Sequence, residues 1–128
     1  MNKLRHHIHE KGKEIDDLKH RNAEIQEKIH HLSHANKIPQ SAYDELKHQM
    51  EKLRHLEHEL YAYIEDIYAH LEELINSTSL SVEQIQIINQ ISIDIHKLEE
   101  ELHHHRKVLY SVFPKMFILK AKACGKGF

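Results

Sequence analysis

The chain of 128 residues has no tryptophan, one cysteine, two prolines and three glycines. Each scarcity excludes something. So few turn-forming residues cannot serve the many reversals of a β-sandwich, and the abundance of Leu, Ile, Glu, Lys and His favours long helices. Cys124 has no partner for an internal disulfide, which agrees with a reducing compartment. It stands fifth from the end rather than fourth, so it does not form a prenylation box. No apolar run approaches the roughly 18 to 20 residues of a membrane span. Met1 to Glu10 is charged and histidine-rich where a secretory leader would be apolar, so the expected location is cytoplasmic.

What is present is periodicity. Tyr43, Leu46, Met50, Leu53, Glu57, Leu60, Ile64, Ile67, Leu71 and Leu74 follow one another at alternating steps of three and four. That is the a/d seam of a helix packing on other helices. From Leu56 onward Tyr61, Tyr63, Tyr68 and Ile75 widen the apolar face, as suits a central helix with neighbours on both sides. Leu4, Ile8, Ile15, Leu18, Ile25, Ile29 and Leu32 form a second seam, with Lys11 and Asn22 between them. A third comprises Ile88, Ile91, Ile95, Leu98, Leu102, Leu109 and Val112, with His105 at a d position.

These seams predict an all-α fold, an up-down-up three-helix bundle with coiled-coil-like helices over about 2–35, 41–76 and 81–112. The bundle occupies 1–113 and a basic, apolar tail 114–128. Pro39 ends the first helix, Ser41 is the expected N-cap of the second with Asp44 and Glu45 in its first turn, and Pro114 ends the third. Ser81 and Gln84 read as a capping box after the polar cluster Asn76 to Ser79. Ile85, Ile87, Ile91, Ile93 and Ile95 also alternate as in a strand, but the preceding cap and the Leu98 to Leu109 periodicity favour helix. Reversal at Pro39 sets Leu4 against Leu74 and Leu32 against Leu46, and reversal at Ser79 sets Ile64 against Ile95 and Leu60 against Leu98.

In that register Asn22 and Glu57 share a layer with Leu102, and His105 lies one layer away. A buried polar layer of Asn22, Glu57 and His105 is costly unless its members satisfy one another, and its best-attested use is to set register and association state.

Fifteen histidines are the chemical anomaly. Their heptad positions turn nearly all of them outward. Protonating every one would carry the formal charge from −2 to +13, and a reference pKa of about 6.5 puts much of that change between roughly pH 7 and 5.5. His30 with His34 and His55 with His58 are the weak metal candidates, since each pair offers two imidazoles on one helical face. Neither pair has a third ligand set by its spacing. Glu27 with His30, Glu45 with His48, Glu100 with His103 and Glu101 with His104 match the Glu-x-x-His spacing of di-iron bundles, but those helices must present the motif inward. No phosphate-binding loop, nucleophile elbow, His-Glu-x-x-His or Cys-x-x-Cys occurs. The reading is therefore non-enzymatic, with no cofactor and no small-molecule substrate implied.

After Glu101 the chain has no acidic residue, while Arg106, Lys107, Lys115, Lys120, Lys122 and Lys126 are basic, so the part before them carries −8. Phe113, Met116, Phe117, Ile118, Leu119 and Phe128 interleave with these cations. The expected function is that of a helical interaction protein, an adaptor, scaffold or regulatory subunit, whose partner is another protein or a second copy of itself in a homodimer. Ile87 and Ile93 on the third helix and the basic residues above are the candidate contacts. The alternatives are a binder of nucleic acid or anionic membranes through the basic segment, and a metal-binding bundle.

Overall fold

The computed structural model describes residues 2–77 and 79–124, and Met1, Thr78, Lys126 and Phe128 lie outside them. The protein is an all-α helical bundle. Helix α1 spans Asn2–Ser33, α2 Gln40–Ser77, α3 Val82–Tyr110 and a short α4 Phe113–Ala123. The strand alternative for the isoleucine-rich segment fails because Ile88, Ile91 and Ile95 are all buried on one face of α3.

The seams meet as helical periodicity requires. Ile15, Leu18, Leu53, Ile64, Ile91, Ile95 and Leu102 are among the most enclosed side chains, and burying each removes apolar area from water at roughly 25 cal/mol per Å². Long-range contacts define the directions. Arg106 of α3 reaches Glu57 of α2 while the earlier His103 reaches the later Tyr61, so α2 and α3 run antiparallel. Leu98 lies beside Gly12, and the later Glu101 beside the later Lys19, so α1 and α3 run parallel.

Helix ends follow local chemistry, with one correction. Ser81 accepts from the Gln84 backbone N–H at 3.2 Å and the Gln84 side chain accepts from the Ser81 backbone at 2.9 Å, forming the expected capping box. Helix α2 instead begins one residue before Ser41. The Pro39 carbonyl accepts from the Ala42 and Tyr43 N–H groups, so Ser41 is already helical and the first turn contains no acid. Gln40 Nε2 donates to Asp44 Oδ1 at 3.0 Å across that start.

Pro114 also acts differently from expectation. Helix α3 stops at Tyr110, the residue whose carbonyl the proline ring four positions later would strike. Ser111 and Val112 keep right-handed helical dihedrals, and Pro114 sits in the opening turn of α4, where its missing N–H costs nothing. The segment after the proline is thus a helix folded against the bundle end. Met116 and Leu119 are buried, and α4 packs on both α1 and α2. Lys122 Nζ donates to the Ser33 carbonyl at 2.6 Å, tying α4 to the end of α1.

Candidate functional site

Three places concentrate chemistry: the polar residues in the seam, the histidines, and the outer face of α4. Asn22, Glu57 and His105 have 2%, 5% and 1% of their surface exposed, the only buried polar residues among those described. Glu57 is positioned by the α2 seam and His105 by α3, and His105 Nδ1 lies 3.4 Å from Glu57 Oε2. His105 thus reaches Glu57 across the one layer that the expected register sets between them. The two groups are close but poorly aligned. Glu57 Oε2 and both ring nitrogens of His105 have no hydrogen-bond partner among the described residues. Asn22 stays within its own helix, its Oδ1 accepting from Gln26 Nε2 at 3.4 Å.

Arg106 completes this cluster from the solvent side. Its Nε lies 3.3 Å from Glu57 Oε1, and its guanidinium stands 5.4 Å from the Tyr61 ring and 5.5 Å from the Tyr110 ring. Hydrogen bonding to Tyr110 is the leading reason its guanidinium is held charged even more firmly than usual. The Tyr61 hydroxyl is 2.7 Å from His103 Nδ1, and burial, above all, holds its phenol above the usual range. Together these side chains floor an open groove of about 790 Å³ whose walls mix Glu51, Glu65 and Glu99 with Arg54 and His58. With Glu57 and Arg106 counted, its lining holds four carboxylates and two guanidiniums beside three imidazoles. Arg106, an expected partner or polyanion contact, is half-exposed and stands between two tyrosines and Glu57. The heptad positions of Tyr61 and Tyr110 beside it were the available signal.

Fourteen histidines are exposed and His105 alone is enclosed. His30 and His34 converge, with Nε2 atoms 3.5 Å apart and rings nearly perpendicular. His55 turns to Glu59 instead, Nε2 to Oε1 at 3.0 Å, and His58 lines the mixed groove. Glu27, His30, Glu45, His48, Glu100 and His103 all lie on outer faces, so the Glu-x-x-His spacings do not converge inside the bundle. Among the described residues no three or more His, Cys, Asp or Glu gather as a metal cluster.

The outer face of α4 is the third region. Burial of Met116 and Leu119 leaves Phe117 71% and Ile118 46% exposed, because residues one and two steps from a buried position point away on a helix. Lys115 and Lys120 flank them in solvent, and Lys107 is exposed nearby in sequence on α3. Lys122, another expected contact, is occupied by the Ser33 carbonyl. Lys126 lies outside the described residues. Ile93 is exposed, whereas Ile87 packs partly against the core. Beside α4 a small groove of about 240 Å³ is lined by Tyr43, Met50, Phe113, Met116 and Phe117 together with Lys47, Arg54 and one acid, Glu51. Arg54 stacks over Phe113 at 5.6 Å. Among the described residues no helix is long and apolar enough to cross a membrane. Comparison with known proteins found no matching family model, no matching curated protein and no matching solved structure.

Proposed function

We propose that this chain is a non-enzymatic, cytoplasmic helical interaction protein, an adaptor or regulatory subunit, whose docking surface is the outer face of α4 and the groove beside it. The observation that carries the reading is the 71% exposure of Phe117 on a helix whose only charged residues are lysines. An exposed aromatic beside an apolar groove supplies an anchor and a receptor for one, and aromatic residues, Met and Arg are enriched at interface cores. Charge complementarity then selects the occupant. Lys47 and Arg54 outnumber the one acid of the groove's lining, Glu51, and Lys115 and Lys120 are exposed on α4, so the fitting partner is an acidic amphipathic helix laying its apolar side chains into the groove.

The test is capture from native lysate with wild-type protein, Phe117→Asp, and Lys115→Glu/Lys120→Glu run in parallel, followed by binding of the purified acidic partner. Loss of the same partner in both variants, with weakening as salt rises, is expected. Equal capture by all three proteins removes α4 from the interface. The same exposed phenylalanine and lysines also suit an anionic lipid surface. Binding to phosphatidylserine vesicles, abolished by Phe117→Asp, with no acidic protein retained, would replace the protein partner by a membrane.

A further inference from the structure

The convergence of His30 and His34 has a use that neither the bundle core nor the α4 surface explains. We infer that the two imidazoles form a chelating site for a borderline transition-metal ion, zinc above all, at the C-terminal end of α1. The spacing is the first ground. Residues four apart lie on one helical face, and the same interval lets the two histidines of a His-Glu-x-x-His helix share a zinc ion. The distance is the second. Ligand nitrogens at about 2.0 to 2.1 Å from a tetrahedral zinc lie about 3.3 to 3.4 Å apart, and the Nε2 atoms of His30 and His34 are 3.5 Å apart before any ion arrives. The separation already matches, and the rings have only to turn until both lone pairs meet at one point.

Rigidity is the third ground. His34 follows the last residue of α1, a place where helices fray, yet this end is held from two directions. The Ser33 hydroxyl donates to the His30 carbonyl at 2.6 Å, and Lys122 of α4 donates to the Ser33 carbonyl at 2.6 Å. The Lys122 ammonium opposes a cation and Glu27, which lines the same groove with His31 and His104, offsets it, while Lys19 of that lining lies 3.6 Å from Glu101. Other histidine pairs lack this arrangement, as His55 shows by pairing with Glu59.

Without metal, the Nε2–H of one ring donates to the lone pair of the other. On binding, that proton transfers to Nδ1 of its own ring through solvent, and both Nε2 lone pairs bond to the ion. Two protein ligands, one fewer than a catalytic zinc has, leave the remaining positions of the ion to water, so the site is open. The groove of about 910 Å³ in front of it leaves room for an added ligand.

With fifteen histidines in the chain, the experiment must show which pair holds the tightest ion. The full-length protein, without an affinity tag, is titrated with zinc chloride against a chromogenic chelator, alongside His30→Gln, His34→Gln, the double variant and His55→Gln/His58→Gln. Each single substitution should weaken the tightest site by about tenfold or more, the double variant should lose little beyond either single change, and the His55/His58 variant should retain it. In parallel, the first equivalent of zinc should shift the ring proton resonances of His30 and His34 before those of other histidines. Helicity by circular dichroism should be the same in all variants because both rings are exposed. A tightest site that survives in the double variant within about twofold, or first shifts in other rings, overturns the assignment and leaves scattered surface chelation.

Discussion

Two stretches of one seam do opposite things. Around Ile15, Ile91 and Ile95, each with no exposed surface, the helices meet through side chains that carry no polar atom. Around Glu57 and His105 they meet through a carboxylate and an imidazole that are equally enclosed but leave three polar atoms without hydrogen bonds. The apolar stretch supplies stability and tolerates sliding, since one isoleucine fits against another nearly as well a layer away. The polar stretch costs desolvation and penalises sliding, because moving Glu57 away from His105 and Arg106 would bury a carboxylate without any cation. Stability and register therefore reside in different layers.

The strongest way to break this comparison is at the dry layer. Ile95→Ala should lose about 2 to 5 kcal/mol of unfolding free energy, through lost transfer energy and an unfilled cavity, read from urea denaturation. The polar layer should respond in the opposite sense. Glu57→Leu with His105→Leu should be neutral or stabilising by about 1 to 4 kcal/mol, while amide resonances near the layer broaden or double as alternative registers become populated. A loss of stability with sharp, single resonances would mean that the pair holds the bundle together and does not select its register. Asn22→Leu alone should act in the same direction more weakly, because the bond Asn22 accepts comes from Gln26 on its own helix.

A smaller effect sharpens the contrast between α4 as packed helix and α4 as tail. Lys122→Ala removes the donor to the Ser33 carbonyl and should cost about 0.5 to 1.5 kcal/mol, with faster amide exchange confined to the end of α1 and to α4. Uniform acceleration across the bundle would show that α4 is part of the global unit. The smallest effect is alkaline. Burial, the main cause, raises the phenols of Tyr61, Tyr63 and Tyr68 above their ordinary values. Folding therefore favours the neutral phenol. That contribution is fully present below the unfolded value near pH 10 and is lost as pH rises through the raised folded values. Urea midpoints should fall above about pH 10, and Tyr63→Phe should flatten the fall.

Most of the helical architecture was legible from spacing because three-and-four steps admit one structure, and the Ser81 and Gln84 cap needed only four consecutive residues. Three things were not. Ser41 has the chemistry of an N-cap, yet the Pro39 carbonyl already accepts from Ala42 and Tyr43, and capping preference is a matter of about 1 kcal/mol that neighbouring geometry overrides. Pro114 reads as a stop, but a helix can restart on the same residue. Arg106 and Lys122 look like free cations in a basic run, because sequence distance says nothing about the tyrosines and the carbonyl that receive them.

The amino-acid sequence by itself determined where the helices lie, which face of each is apolar, that Asn22, Glu57 and His105 interrupt the seams, and that the last quarter of the chain is basic. Tertiary structure decided that His105 and Arg106 meet Glu57, that the segment after Pro114 packs as a helix on both α1 and α2, and that Lys122 ties α4 to the end of α1. The reason is physical. Periodicity along a helix is set by 3.6 residues per turn, a local quantity, whereas the offset between helices depends on small energy differences among side-chain layers that only exist once the helices are side by side.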